Sequence, residues 1–495
     1  MERAVEMKQP YKHCVAFDCG NSSLRVVSGL YDGERVELSL IRQIEHSEIE
    51  LGGVYYWDIL FIFDQLQQGL REAFEKHGKI DSCGICTWGI DFGILGGQGQ
   101  LLGNPLCYRN GMSARIIAGL GEEEKRRAFF DTGVQVHPMN TLYQLAAYQA
   151  DFPAQYGAVE KLLLIPDLLA YFFTGRMAAE RCIASTTQYY DVQSRDYAGG
   201  ILNRHQIKRN ILAGFIEHGQ VIGDILPEIR DRLQINAFPF LCVPSHDTAC
   251  AVAAVPAAGQ DFLFISSGTW SLIGTELDTP QIDNRIYESG LANEAGAYNN
   301  TTLLKNSAGM YIAQRVRAEL RQQGESYNWA ELVDLAKTAS QPELLFNVGH
   351  PSLFAPTSMI KALRELLGAT GQNGDCDTGS LLRGFYNSMA LSYRQVLEEI
   401  ERVTGQTYRQ IHIIGGGSKN AFLNQLAANA TGRTVVAGPV EATSLGNICV
   451  QIVGQSADAK EALAVARRVS TASSSTETFE PQGNMDALYQ QYLNL

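Results

Sequence analysis

The sequence predicts an α/β protein of two domains built on a duplicated plan. Three observations carry that expectation. Apolar strand-like runs alternate with stretches of helical periodicity, the pattern of layered α/β folds with much parallel sheet. The chain has 495 residues, too long for one hydrophobic core and suited to two domains of roughly 200–250 residues. Most informative, two glycine turns half a chain apart look like copies. Val15-Ala16-Phe17-Asp18-Cys19-Gly20-Asn21-Ser22-Ser23-Leu24 and Leu263-Phe264-Ile265-Ser266-Ser267-Gly268-Thr269-Trp270-Ser271-Leu272 align without a gap. In each, an apolar strand enters a polar turn that can offer N–H groups and hydroxyls to an anion.

The first half opens with three strands, His13–Asp18, Leu24–Tyr31 and Val36–Gln43, the last two joined at Asp32-Gly33, a favoured hairpin turn. A helix is expected from Asp58 to His77, with Asp58 as cap and Gly78 as stop. Ser82–Thr87 and Phe92–Leu95 return to strand. In the second half Phe262–Ser266, Ser271–Glu276 and Tyr298–Leu304 read as strands and Ala308–Gln322 as a helix. Then come strand Ile411–Ile414, Gly415-Gly416-Gly417, a helix from about Asn420 to Ala430, strand Thr434–Ala437 and helix Ser444–Val453. Residues 326–379 read as helix and loop. With a hinge near Pro244–Pro256, the domains are expected at 1–244 and 245–495.

The net charge of −13 argues against nucleic acid as partner, because phosphate-backbone binding needs a basic surface. No run of about 18 apolar residues is present, so no membrane span is expected. Met1–Lys12 lacks the apolar core of a signal peptide. The ten cysteines are scattered and read as small buried hydrophobes in a reducing cytoplasm. Cys83-Gly84-Ile85-Cys86 has no second pair with which to hold zinc.

Five segments carry chemistry. In Asp18–Arg25, Asn21 and the hydroxyls of Ser22 and Ser23 can donate to phosphate, Arg25 can neutralise charge, and Asp18 can hold hydrated Mg²⁺. A plain hairpin with a solvated arginine is the alternative. Ser266–Trp270 has no acid, which suits direct phosphate contact, with Thr269 as hydroxyl donor. Gly415–Asn420 leaves a flat platform for a purine or ribose, or else a flexible connection. Ser245-His246-Asp247-Thr248 places an acid beside an apolar run at the hinge, a candidate general base for an alcohol; alternatively Asp247 caps a helix from Thr248. Trp88-Gly89-Ile90-Asp91-Phe92 suits a polyol pocket, with the acid to hydroxyls, or a strand ending in a turn.

Together these segments resemble the FGGY carbohydrate kinases, within the actin/hexokinase/Hsp70-like ATPases. The likeness spans nearly the whole chain, with four motifs in order. Asp18-x-Gly-x-Ser-Ser-x-Arg25 resembles the family's first phosphate loop and Ser266-Ser-Gly-Thr269 its second. Gly415-Gly-Gly-Ser-x-Asn420 resembles its adenosine motif and His246-Asp247 its catalytic pair. Further runs resemble the branch acting on L-rhamnulose: Trp88–Phe92, Asn140–Leu145, Ser245–Ala249, Leu304–Ser307 and Gly438–Ala442.

The resemblance implies two actin-like (ribonuclease H-like) ATPase domains with a cleft between them, in a cytoplasmic enzyme. It implies ATP-dependent phosphorylation of the 1-hydroxyl of a 6-deoxy-ketohexose, L-rhamnulose, with Mg²⁺. Asp247 would accept the proton. Gly89, Asp91, His246, Thr248 and Asn306 would contact the ketose. Asn21, Ser22, Ser23, Leu24, Arg25, Thr269, Gln314, Gly416, Gly417 and Asn420 would contact ATP, and Asp18 the metal. L-Fuculose is the alternative substrate. An ATPase-based interaction protein on the same fold is a second class, disfavoured by the polyol-like segments. The family's Tyr-Arg-Asp-x-Arg segment appears here as Tyr108-Arg109-Asn110-Gly111-Met112, a departure that bears on sugar specificity. Ala427 and Thr431 stand where some relatives have a cysteine pair, so no disulfide is expected there. The motifs do not speak to oligomeric state.

Overall fold

The computed structural model describes residues 11–257, 259–354 and 356–495. The signal-peptide expectation for Met1–Lys12 therefore falls mostly outside the described residues. The chain divides into two compact units that are not contiguous in sequence. The first takes the residues before Gly259, together with Glu276–Leu303 and Ala442–Ser474. The second takes Gly259–Thr275, Leu304–Glu441 and Ser475–Leu495.

The first unit is built on strands β1 (Lys12–Cys19), β2 (Ser23–Tyr31), β3 (Val36–Glu45), β4 (Ser82–Thr87), β5 (Val221–Asp224) and β6 (Pro239–Leu241), in the order β3-β2-β1-β4-β6-β5. β1, β2 and β3 are antiparallel neighbours. β4 lies parallel to β1, β6 parallel to β4, and the edge strand β5 antiparallel to β6. β1 and β4 are buried on both faces, which explains their unbroken apolar runs. Cys83 and Cys86 lie three residues apart on β4 and so face opposite sides of the sheet. All ten cysteines are buried free thiols. Helix α1 (Ile59–His77) covers one face. The Asp58 side chain accepts the Phe61 N–H at its start, and Gly78 closes its end. The helix Ala442–Val453 packs on β1 and β4, tied by Gln451 to the Val15 carbonyl (2.9 Å) and to Ser82 (2.7 Å).

The segment between Pro244 and Pro256 is a short buried helix, α2 (Asp247–Ala253). It fits tightly because Gly446 offers no side chain: a Cβ there would fall 1.9 Å from the Cys250 carbonyl oxygen.

The second unit repeats the strand plan. Its strands are β7 (Phe262–Ser267), β8 (Trp270–Leu277), β9 (Thr301–Ala308), β10 (Gln410–Ile414), β11 (Thr434–Ala437) and β12 (Glu477–Phe479). They lie in the order β9-β8-β7-β10-β11-β12 within a seven-stranded sheet, whose remaining strand, Ala292–Ala295, stands beside β9. Again the first hairpin is antiparallel, the next two strands are parallel to β7 and to each other, and the edge strand is antiparallel. Helices α3 (Tyr311–Gln322), α4 (Thr378–Thr404) and α5 (Ala421–Thr431) belong to this unit. Trp329–Lys337 and Met359–Ala369 make the expected helix-and-loop stretch.

Two expected boundaries move. Tyr298 and Asn299 take left-handed φ values of 49° and 66°, so β9 starts at Thr301 and runs on through Ala308. Helix α3 then begins at Tyr311, where Ala308 was expected.

Candidate active site

The paired registers show where the two glycine turns differ. In the first, Cys19 pairs with Leu24 and Asp18 with Arg25. In the second, Ser267 pairs with Ser271 and Ser266 with Leu272. The first loop is one residue longer, so the gap-free alignment of the sequences goes out of register beyond the turn. Arg25 therefore corresponds to Leu272. The extra residue lets the first hairpin set Arg25 directly across from Asp18.

Asp18 is 3% exposed. Its carboxylate accepts from the Arg25 guanidinium at 2.7 Å and from Ser444 Oγ at 3.2 Å. Around the turn the carbonyls are engaged. Cys19 O accepts the Trp88 N–H (3.1 Å), Ser22 O the His46 N–H (3.1 Å) and Ser23 O the Gly20 N–H (2.9 Å). Gly20 O lies 2.8 Å from His46 Nε2. Among the described residues, no backbone carbonyl takes the N–H of Asn21 or Ser22. The buried Asn21 Oδ1 likewise has no hydrogen-bond partner among the described residues. Carbonyls tied inward with N–H groups left over are the arrangement an anion-binding turn requires.

The second turn follows the same logic with other partners. Gly268 O accepts from the Met310 N–H (3.0 Å), Thr269 O from the Tyr311 N–H (3.1 Å) and Trp270 O from the Gly268 N–H (2.9 Å). The start of α3 thus holds the turn, and Gln314 sits exposed on its first turns. The glycine triad closes against the same strand. A Cβ on Gly417 would fall 2.0 Å from Ser267 Oγ, so the close approach itself requires glycine there. Gly416–Lys419 coil into a 3₁₀ turn where a flat platform was expected. Asn420 Oδ1 caps α5 through the Leu423 N–H at 3.1 Å, so this oxygen is committed to the helix. Gly415 N–H donates to Pro439 O at 3.1 Å, bringing the segment that starts at Gly438 beside the triad. Asn306 is exposed on β9 in this unit.

In the first unit α2 begins at Asp247, and His246 is the residue before it. Asp247 is thus a first-turn residue and not the cap. Its Oδ1 accepts from the Thr248 N–H at 2.7 Å and lies 3.3 Å from Thr248 Oγ1. His246 Nε2 lies 3.4 Å from the same oxygen, and His246 Nδ1 lies 3.2 Å from Glu294 Oε2. Burial would favour the neutral ring. Contact with Glu294 and the charges of Asp247 and Glu180 outweigh it and raise the His246 pKa to about 9.

Glu180 is 3% exposed and anchors this segment. It accepts from Ser245 N–H (3.0 Å) and Oγ (2.7 Å), Cys182 N–H (2.6 Å), Ile183 N–H (3.0 Å) and His218 Nε2 (2.7 Å). Burial alone would raise its pKa, but the bonds from His218 and the two helix N–H groups lower it to about 2. His218 Nδ1 accepts the Tyr298 N–H at 2.8 Å, which leaves the ring proton on Nε2. Glu180, Cys182 and His218 bring three metal-ligating atoms together. The ring's two nitrogens are nonetheless committed to Tyr298 and Glu180, and burial pushes the Cys182 thiol well up.

Asp91 departs from its expected role. It is 1% exposed. Its Oδ2 accepts from the indole N–H groups of Trp57 (2.6 Å) and Trp88 (3.0 Å), and its Oδ1 from Gln144 (3.3 Å). Burial raises its pKa to about 7 against those bonds. The carboxyl holds two tryptophans in place and is not an open acceptor for hydroxyls. Gly89 adjoins Thr186, whose Oγ1 accepts the Ile90 N–H at 3.2 Å. Thr141 Oγ1 donates to Ile90 O at 2.6 Å, so the Asn140–Leu145 run braces the Trp88–Asp91 turn. In the altered Tyr108–Met112 segment, Asn110 both accepts the Tyr55 N–H (2.9 Å) and donates to Tyr55 O (2.7 Å). An aspartate could not do both.

Glu180, Glu294, His46, Trp57 and Ser444 carry no local sequence signal. Apart from the Cys182 and Ile183 N–H groups on Glu180, their partners lie tens to hundreds of residues away.

The comparisons with known proteins decide the family. Residues 13–253 match the model of the N-terminal domain of the FGGY family of carbohydrate kinases, and residues 263–454 that of its C-terminal domain. This chain belongs to the FGGY family of carbohydrate kinases. It is 35% identical over 496 residues to the rhamnulokinase of Bacteroides thetaiotaomicron, covering 99% of each chain. It is 37% identical over 448 residues to that of Enterobacter sp., covering 89% of each. Among solved structures, a ligand-bound xylulose kinase from Lactobacillus acidophilus matches with a TM-score of 0.77 at 18% identity, over 98% of this chain and 96% of that one. Plasmodium falciparum glycerol kinase with ADP matches with a TM-score of 0.76 at 14% identity and the same coverage. These structures share the two-domain FGGY fold. No helix among the described residues is long and apolar enough to cross a membrane.

Proposed function

We propose that this FGGY carbohydrate kinase transfers the γ-phosphoryl group of ATP to the 1-hydroxyl of L-rhamnulose. Family membership supports the reaction type, and the near-full-length rhamnulokinase relatives support the substrate. The observation that carries the chemistry is Asp247. It is a partly exposed carboxylate at the start of a buried helix, with its backbone segment fixed by Glu180.

In this reading Asp247 takes the proton of the 1-hydroxyl as that oxygen attacks phosphorus. The new bond joins O1 to phosphorus, the bond to the bridging oxygen breaks, and ADP leaves. His246, Thr248 and Gly89 orient the ketose, and Asn306 is assigned to it on the family resemblance. Asp91 acts on the pocket through Trp57 and Trp88. The loop from Asn21 to Arg25, the hydroxyl of Thr269, Gln314, Gly416 and Gly417 contact the nucleotide. Turn N–H groups and the Arg25 guanidinium stabilise charge on the transferring group. Asn420 serves the adenosine segment by capping α5.

Asp18 fits a hydrated Mg²⁺. It is a hard oxygen donor, paired with Arg25, next to a turn with outward N–H groups. The metal, when bound, supplies neutralisation of phosphate charge.

ADP release measured against a panel of ketoses and polyols tests the reading. L-Rhamnulose is expected to give the highest kcat/KM, ahead of L-fuculose. Faster turnover of L-fuculose would reassign the substrate. If no sugar raised ADP release above the basal rate, the kinase reading of this site would fail.

A further inference from the structure

We propose that Glu294 is a positioning residue that, from the far side of the ring, keeps His246 as the imidazolium beside Asp247. The inference rests on the reading above, in which Asp247 takes the substrate proton, and adds a residue that no motif contains.

The geometry is a ring between two carboxylates. The His246 and Glu294 side chains are each 11% exposed. Glu294 Oε2 stands 3.2 Å from Nδ1, and Asp247 Oδ1 stands 3.4 Å from Nε2. Both contacts are pairings of charge rather than aligned hydrogen bonds: Nδ1 makes no hydrogen bond among the described residues, and two carboxylates within 3.4 Å of the ring nitrogens favour the imidazolium over the neutral ring. The charged groups around the ring come from three elements: Asp247 on α2, Glu294 on the strand Ala292–Ala295, and Glu180 before the helix Arg181–Ala184. All three are acids, which agrees with the raised pKa of the ring.

Glu294 is itself held on both sides. The next residue, Ala295, donates its N–H to Ser185 Oγ at 2.9 Å. The preceding Asn293 donates its N–H to Gly133 O at 2.8 Å and its side chain to Gln281 O at 2.8 Å. The carboxylate is thus delivered to the ring by a fixed strand.

Two consequences follow for Asp247. A cation beside it favours its ionised form, which is the form that accepts a proton. The contacts from His246 and Thr248 also converge on Oδ1. That leaves Oδ2 as the oxygen that meets the hydroxyl.

Histidine NMR of the intact protein, without sugar, tests this. The His246 signal is assigned by its loss in His246→Gln and followed from about pH 6 to pH 10. The wild-type ring is expected to titrate well above ordinary histidine. In Glu294→Gln its midpoint falls by about one unit or more, about tenfold in proton affinity. The alkaline limb of kcat shifts down by the same amount, while KM for ATP stays unchanged. A wild-type ring titrating like ordinary histidine overturns the proposal, and so does a Glu294→Gln midpoint equal to wild type. Should that variant not fold, the wild-type titration decides alone. Because the titration needs no substrate, failure to phosphorylate L-rhamnulose would sink the functional reading and leave this measurement standing.

Discussion

The two glycine turns share a backbone plan and differ in what they carry. In both, a buried parallel strand enters the turn, a glycine N–H closes it, and neighbouring N–H groups occupy its carbonyls. The first turn is one residue longer, which places Arg25 opposite Asp18, and Ser444 also donates to that carboxylate. The second places Leu272 opposite Ser266 and packs Ser267 against Gly417. The two turns thus share one hydrogen-bonding plan, with charge placed on one and close glycine packing on the other.

The largest expected effect lies outside both turns and sets the scale for them. Asp247→Asn should cut kcat by about 10²–10⁴-fold while calorimetry shows ATP binding intact. Near-normal turnover would remove Asp247 as the base. Next, Asp18→Asn should lower kcat by about 10²–10³-fold and destabilise the first unit by up to about 3 kcal/mol. That figure is the low end for a broken buried pair, because Arg25 keeps some solvent. The counterpart Ser266→Ala should cost less than about tenfold in rate. Equal losses from the two variants would show that the turns are not specialised.

The second turn is probed by Gly417→Ala. Its Cβ meets Ser267, so a cost of about 1–3 kcal/mol is expected, read as a lower Tm and weaker ADP binding. Adding Ser267→Gly should restore about 1 kcal/mol or more of it; strict additivity of the pair would refute the contact. The smallest effect on rate, and a pH signature, should come from Glu180→Gln. The folded pKa of Glu180, about 2, lies below the ordinary glutamate value of 4.5, so its stabilisation is present above about pH 4.5 and is lost as pH falls toward about 2. Urea melts should therefore show the variant's deficit largest at neutral pH and shrinking in acid. A deficit constant from pH 7 to pH 3 would contradict the charge assignment.

Much of the candidate site was legible because its signals are local. Glycine in an apolar-to-polar turn, three consecutive glycines after a strand, and an acid after an apolar run each follow from neighbouring residues. Asp91 was legible as important but not in role. A carboxylate beside Trp88 and Gly89 reads as a ligand for hydroxyls, whereas Trp57 and Gln144 close over it from distant segments. Similarly, the start of β9 was misplaced because nothing adjacent signals that Tyr298 turns left-handed, its N–H committed to His218.

By itself the sequence determined the duplicated strand plan, since strand periodicity and turn chemistry are properties of consecutive residues. It also determined the family and singled out Asp247 as the candidate base. Only the tertiary structure decided the one-residue difference between the turns, the two buried acids, Glu180 and Glu294, that meet Ser245–Asp247, and the closed surroundings of Asp91. The physical reason is the same in each case. A buried charge must be met by donors, and those donors come from whichever strand or helix the fold brings near, not from the residues next in line.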